Sequence, residues 1–326
     1  MGRYSAAPKA AAALLLAFSV SARPLGAPRA AAVNEKLMGR WDITIDAGPN
    51  VRLPSWLEVQ IPGAHSSGDS YAGRFVGVVG SARPIERVML SGDSLHFSIP
   101  KQWEPGDGAL TVDAKLDGPD RLTGTIVFPD ARSFPFSAVR APTLEHKSAP
   151  VWGSPVALLA HSSLTGWHTQ RGGTNQWEVK DGILRSPKSG ENIVTDRKFM
   201  DFKLHIEFRY PKESNSGIYL RGRHEVQVQD DYGLAPLDDR FAGVYGFIEP
   251  NEMAAKPAGE WNTYDITLVG RRVTIVANGK PVVCDQTIPG TTGGALDANE
   301  GEPGPLLLQG DHGPVEYRNI IITPAR

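Results

Sequence analysis

The chain is nearly without cysteine. Cys284 is the only one in 326 residues, which excludes an intrachain disulfide and any cysteine-built metal cluster. Charge of one sign is not in excess either. Of the 34 Lys and Arg, four (Arg3, Lys9, Arg23 and Arg29) fall in the first 32 residues, leaving 30 against 36 Asp and Glu. That balance excludes a nucleic-acid binder driven by bulk phosphate attraction. No apolar run is long enough to span a bilayer: Ala10–Val20 is roughly half of the ~20 residues required. There is no long stretch with a 3.6-residue apolar period, and no Gly-x-Ser-x-Gly elbow, P-loop, Gly-x-Gly-x-x-Gly or His-Glu-x-x-His, so those chemistries have no support. What is abundant is turn formers, 35 Gly and 26 Pro, with aromatics interspersed. Such punctuation predicts an all-β chain, and the length predicts two domains.

Residues 1–32 carry Arg3 and Lys9, then the apolar run, then small residues through Ala22 and Ala30–Ala32. A basic start, a short apolar segment and an Ala-x-Ala-like end make a signal peptide, with cleavage fitting after Ala22 or near Ala32. The mature protein is therefore expected in the periplasm or secreted. Residues 33–142 hold eight extended candidates: Trp41–Asp46, Trp56–Ile61, Tyr71–Val79, Ile85–Leu90, Ser94–Ile99, Leu110–Leu116, Leu122–Phe128 and Ser133–Val139. Tight links such as Ser91-Gly92-Asp93 make them consecutive hairpins, which close most economically as a small antiparallel β-barrel. The opening Gly39-Arg40-Trp41 resembles that of lipocalin-like barrels. His65 and His96 are isolated and read as surface histidines. Residues 143–155, rich in Pro and small polar residues, read as a linker. Residues 156–326 carry about ten more short strands, with Asn278-Gly279 as the strongest hairpin signal, and predict a two-sheet sandwich of jelly-roll type.

Alternation sorts the polar groups of this second half. In Lys203–Tyr210, His205, Glu207 and Arg209 share one face; in the next two segments Tyr219, Arg221, Glu225 and Gln227 lie opposite Ile218, Leu220, Val226 and Val228. If these three segments neighbour one another in one sheet, their polar faces form either a site for a hydroxyl-rich ligand or a solvated face with cross-strand ion pairs. Asp230-Asp231-Tyr232-Gly233 reads as a turn rather than a calcium loop. Lys256–Asn262 sets a cation, Glu260 and Trp261 just before a strand. Gln309-Gly310-Asp311-His312-Gly313 offers a loop histidine suited to proton transfer.

Five segments in order, Asn215–Arg221, Glu225–Asp230, Lys256–Asn262, Gln309–Gly313 and Glu316–Ile320, resemble the 3-keto-disaccharide hydrolase family, whose domain is a concanavalin-A/laminin-G-like jelly roll. Leu164–Trp167, Trp177–Leu184 and Phe202–Arg209 match its opening strands. The resemblance covers about 156–326 and none of 33–145. It departs at Leu159–Ser162, where the family has Leu-Phe-Asn-Gly, and after Asp230, where extra residues run to Phe241.

The resemblance implies a carbohydrate-active hydrolase or lyase of 3-keto-glycosides. A ketone at C3 acidifies the C2 proton, so a base removes it, the C1 substituent departs, and water adds to the enone. The implied acid/base residues are Glu207, Glu225 and His312, the last as base or leaving-group acid, with Asp230 a further carboxylate. Lys256 and Arg221 are candidates for the enolate. Arg209, Tyr219, Gln227, Glu260 and Gln309 complete the expected binding set, and Trp261 either stacks on a sugar or fills the core. No cofactor is required, a divalent cation is left open, and the partner is a carbohydrate. A binding-module reading keeps the same sheet without turnover and uses Trp41, Trp56 and Trp103 of the barrel as polymer anchors. Two-carboxylate hydrolysis of unoxidised sugars is the third reading.

Overall fold

The computed structural model describes residues 35–60 and 70–326; the expected signal peptide and His65 lie outside the described residues. No helix among them is long and apolar enough to cross a membrane. The first eight strands are β1 (Gly39–Gly48), β2 (Val51–Gln60), β3 (Ser70–Val76), β4 (Arg83–Ser91), β5 (Ser94–Pro100), β6 (Ala109–Leu116), β7 (Arg121–Val127) and β8 (Ser133–Arg140). Each pairs antiparallel with the next, and β8 returns to β1 from Trp41↔Arg140 to Ile45↔Phe136, closing a barrel. Closure leaves no free edge, which is how eight short alternating strands of this kind avoid edge pairing. The inward set, including Trp41, Ile43, Ile45, Leu57, Phe75, Phe97 and Phe136, fills the interior. Trp41 donates its indole N–H to the Leu37 carbonyl at 3.1 Å, so its one polar atom is satisfied in the core.

The second half consists of β9 (Val156–Ala157), β10 (Trp167–Thr169), β11 (Glu178–Lys180), β12 (Ile183–Ser186), β13 (Ile193–Phe199), β14 (Phe202–Arg209), β15 (Asn215–Leu220), β16 (His224–Gln229), β17 (Asn262–Val269), β18 (Arg272–Ala277), β19 (Lys280–Thr287), β20 (Gly304–Leu308) and β21 (Val315–Pro324). One sheet runs β10-β13-β20-β15-β16; the other runs β11-β12-β21-β14-β17-β18-β19, with β9 added on β21. They enclose one core to which Leu204, Ile206, Phe208, Ile218, Leu220, Val226, Val228 and Tyr264 all contribute. The strands β9, β10 and β13 were not expected; in β13 the charges at Asp196, Arg197 and Lys198 hide the alternation, and the β13–β20 register slips between Val194 and Lys198.

The expectation that Lys203–Tyr210 shares a sheet with the two segments after it is corrected. β14 lies in one sheet, β15 and β16 in the other. Their apolar faces meet across the core, so their polar faces point out of opposite sides of the sandwich.

The barrel and the sandwich belong to one compact unit, Val33–Arg326. The indole of Trp56 meets the ring of Phe247 edge-on at 5.2 Å, and a Cβ on Gly290 would come 2.2 Å from its nitrogen. Gly294 donates its N–H to the Val78 carbonyl at 2.9 Å. Arg271 and Glu300 form a fully buried ion pair nearby, and burial together with Glu300 pushes Asp42 up to about 9. The segment between barrel and sandwich is fastened as well, by Arg271 to the Pro142 carbonyl at 2.7 Å and His146 to Asp201 at 2.9 Å. Trp41 and Trp56 are both fully buried, which corrects their expected role as surface anchors. Trp56→Ala should instead lower the unfolding free energy by about 3 kcal/mol, the cost of an unfilled aromatic site, measurable by denaturant titration.

Candidate functional site

The outward face of β15 and β16 is not solvated. Every residue of β16 except Gln229 is buried, although the strand carries His224, Glu225 and Gln227. An apolar face on the core explains Val226 and Val228; burial of the polar face means that something covers it. The edge of β16 is taken by residues 243–245, which bond Gln227 and Glu225 through their backbone, and the outward face is met by residues 290–294 and by the barrel. Between them lies a cleft of about 550 Å³ lined by Tyr219, Glu225, Gln227, Asn215, Gln309, Asp311, His312, Gln170, Arg171, Asn192 and Tyr245, and by Val79, Gly80 and Trp103 of the barrel.

Glu225 sits at its base, 4 % exposed. Directly across the ladder Tyr219 pairs with it, and Gly217 pairs with Gln227. A Cβ on Gly217 would lie 2.2 Å from Glu225 Oε1, so the missing side chain is what makes room for the carboxyl group. Glu225 Oε2 is 2.8 Å from the Tyr219 hydroxyl, which is also 3.0 Å from the Gly293 carbonyl. A phenol has one proton and a carbonyl only accepts. Both bonds form together only when Tyr219 donates to Gly293 and a protonated Glu225 donates to Tyr219. The electrostatics agree: burial pushes Glu225 up to about 8, against the opposing pull of Tyr219 and the His312 charge. Burial also raises Tyr219 well above 10, so the phenol stays neutral.

His312 is half-exposed, with Nδ1 2.7 Å from Asp311 Oδ1. That bond raises its pKa above 6.5, against burial and with help from the Asp311 and Glu225 charges. Burial works to raise Asp311, but the His312 bond and charge outweigh it, and its carboxyl is held below the usual range. The loop is pinned from below: Gly310 N–H donates to Asn192 Oδ1 at 2.7 Å, Ser189 to the Asp311 carbonyl at 2.5 Å, and Ser214 to the Pro314 carbonyl at 2.6 Å. Asn192 in turn donates to Gln170 Oε1 at 2.9 Å.

Three amide oxygens lining the cleft, Asn215 Oδ1, Gln227 Oε1 and Gln309 Oε1, are buried acceptors without a partner among the described residues. Gln227 is held by its other end, donating to Gln229 Oε1 at 3.0 Å and to the Asp239 carbonyl. Unpaired buried amide oxygens are costly, and together they form an acceptor wall matched to hydroxyl donors. Among the described residues no group of three or more His, Cys, Asp and Glu converges as a ligand set for a metal ion.

Of the residues singled out from sequence, Tyr219, Glu225, Gln227, Gln309 and His312 come together here. The others do not. Glu207 lies on the outer face of the second sheet, where its oxygens take Arg318 and Asn319 at 2.6 Å each; burial opposes, but those bonds hold its pKa below the ordinary value. Arg209 pairs with Glu316, and the Trp261 ring lies against both Arg209 at 4.8 Å and Arg318 at 3.9 Å. This is the cross-strand ion-pair face. Lys256 is tied to the Trp261 carbonyl at 2.8 Å, and Glu260 is exposed. Arg221, just after β15, is in a left-handed conformation and buried, donating to the Gly270 carbonyl at 2.5 Å. Asp230 accepts the Glu213 N–H at 3.0 Å and closes a turn. Sequence reasoning left out Asn192, Gln170, Arg171 and Tyr245, which sit in aperiodic loops with no local signal. Asp311 was visible as the acid next to the loop histidine.

No curated protein matches the chain. Among solved structures, a "putative glycosyl hydrolase" from Parabacteroides distasonis is 30% identical, covering 55% of this chain and 92% of its own, with a TM-score of 0.44. A second from the same organism is 23% identical over 52% of this chain and 98% of its own, at 0.42. The carbohydrate-binding module CBM66 of Bacillus subtilis is 14% identical over 48% and 93%, at 0.35. The family model described as the 3-keto-alpha-glucoside-1,2-lyase-like domain matches residues 155–323, which is the sandwich with β15, β16 and the His312 loop. The chain belongs to the family of 3-keto-alpha-glucoside-1,2-lyase-like domains.

Proposed function

We propose that the cleft removes the C2 proton of a 3-keto-glucoside and expels its C1 substituent. The observation that carries this reading is a buried carboxyl group, Glu225, 2.8 Å from the Tyr219 hydroxyl and pushed up to about 8 by burial, in the same cleft as a carboxylate-oriented histidine, His312. His312 takes the C2 proton; the C2–H electron pair becomes the C1=C2 bond of an enone as the C1–O bond breaks; Glu225 protonates the departing oxygen. No electrons are lost or gained overall, and water adding to the enone completes hydrolysis. Arg171, a guanidinium lining the cleft, takes the enolate role assigned from sequence to Arg221 and Lys256. The acceptor wall of Asn215, Gln227 and Gln309 receives sugar hydroxyls. The leader-like residues 1–32 support an exported protein that meets its substrate outside the cytoplasm.

Incubating the purified chain with a chromogenic glucoside and its 3-keto derivative, each with and without a chelator, tests the reading. Release from the keto-sugar alone is expected. Release from both would favour two-carboxylate hydrolysis, and binding without release would leave a carbohydrate-binding module.

The pH profile follows from the signs. The base must be neutral, and His312 loses its proton only above 6.5; the acid must be protonated, and Glu225 loses its proton at about 8. The expected kcat/KM rises above 6.5, peaks narrowly and falls through about 8. A rate flat across that range would contradict the pairing of these two groups.

A further inference from the structure

We propose that the barrel builds the leaving-group half of this site, and that Trp103 is its platform for a ring-shaped leaving group. The inference rests on the lyase reading for the identity of the substrate. The family match begins at residue 155, yet Val79, Gly80 and Trp103, all upstream of it, line the cleft alongside Glu225 and His312. Trp103 is 69 % exposed while the barrel's other tryptophans, Trp41 and Trp56, are fully buried. An indole left in solvent contributes nothing to the barrel core.

Its loop is nonetheless firmly built. Glu104, 5 % exposed, pairs with Arg83 at 2.5 Å and accepts the Gln102 N–H at 2.7 Å. The Gln102 amide clamps Ser81, accepting its N–H at 3.1 Å and donating to its hydroxyl at 2.8 Å. Gly80, with φ near 88°, lies under the indole, where a Cβ would come 3.1 Å from Trp103 Cδ1 and 2.3 Å from Gln102 Oε1. The segment 77–82 is wedged onto the sandwich, since a Cβ on Gly293 would meet the Gly80 carbonyl at 2.2 Å and one on Gly246 would meet Ser81 Cβ at 2.5 Å. A braced loop that holds an aromatic face open over a cleft is preorganised for a ligand.

The two halves of the cleft differ in chemistry. The buried floor offers acceptors, Asn215, Gln227 and Gln309, for the hydroxyls of the keto-sugar. The outer wall offers Val79, Trp103 and Tyr245, suited to the C–H face of a second pyranose or to an aryl ring. The substrate class is therefore a 3-keto-glucoside whose C1 oxygen carries a ring, rather than a simple alkyl group.

The test compares wild type, Trp103→Ala and Trp103→Phe on 3-keto-glucosides whose leaving group is methanol, glucose or 4-nitrophenol. Trp103→Ala is expected to lower the ratio of kcat/KM on ring-bearing to methyl substrates about tenfold, the lower end of what one lost apolar contact costs. The loss should sit in KM, and Trp103→Phe should restore most of it. A fall with glucose alone assigns the subsite to a pyranose; a fall with 4-nitrophenol alone assigns it to an aryl group. An unchanged ratio overturns the proposal, whether or not the absolute rates move. If wild type releases nothing from any keto-glycoside, the lyase reading fails, and fluorescence decides the platform separately. Quenching by a keto-disaccharide that is present in wild type and absent in Trp103→Phe supports it; equal quenching in both refutes it.

Discussion

His312→Ala should lower kcat/KM for 3-keto-glucosides about a thousandfold, whatever the leaving group, because a positioned base contributes roughly 10²–10⁴ to proton abstraction. Asp311 holds Nδ1 at 2.7 Å, so the proton on that nitrogen is fixed and Nε2 is the atom available to the substrate. The same arrangement of carboxylate and imidazole orients the base in nucleophilic triads. The C2 proton must be removed before or as any C1 group leaves, so the loss should be equal for methyl, glucosyl and nitrophenyl substrates. The loop survives the substitution because its anchors are backbone bonds to Asn192, Ser189 and Ser214, and an unchanged melting temperature checks this. Steady-state kinetics showing a rate within tenfold of wild type would remove His312 from the chemistry.

Glu225→Gln should be as damaging, about a thousandfold, on substrates with sugar or methoxide leaving groups, and cost less than tenfold on a nitrophenyl substrate. Poor leaving groups need a proton and nitrophenolate does not. Glutamine copies the protonated acid: its amide N–H donates to the Tyr219 hydroxyl as the carboxylic O–H does, above the space left by Gly217. Fold and binding should therefore persist. The pH dependence of stability gives an independent check. Glu225 is raised above its ordinary 4.5 to about 8, so the native state holds a proton that the unfolded chain releases, and stability contributed by this group is lost as pH rises through that window. Glu225→Gln should flatten that loss and abolish the alkaline limb of the rate. Equal damage on both substrate types would instead make Glu225 the base.

Much of the architecture was legible in the chain. Eight alternating segments with tight polar links have one economical closure, and β1–β8 form it. The sandwich followed from short alternating strands, the Asn278-Gly279 turn and the ordered family segments. Half of the site was legible too, because Gly217, Tyr219, Glu225, Gln227 and the Gln309–Gly313 loop sit inside those segments.

What the sequence could not supply is which side of which sheet each polar face would occupy. Alternation groups residues within one strand and is silent on pairing between strands. Glu207–Arg209 on β14 and Tyr219–Gln227 on β15 and β16 look alike as patterns, yet strand order sends the first to a solvated ion-pair face and the second beneath the barrel. Burial then separates their chemistry. Glu207, bonded to Arg318 and Asn319, keeps its charge, whereas Glu225, desolvated beside the Tyr219 hydroxyl, keeps its proton. The placement of Trp103 is of the same kind: its residue type was plain from the chain, but its distance from Glu225 depends on how the barrel docks. Local patterning determined the strands and their faces; only the long-range pairing of strands, the docking of barrel on sandwich and the resulting loss of solvent decided which carboxyl group lies in the cleft.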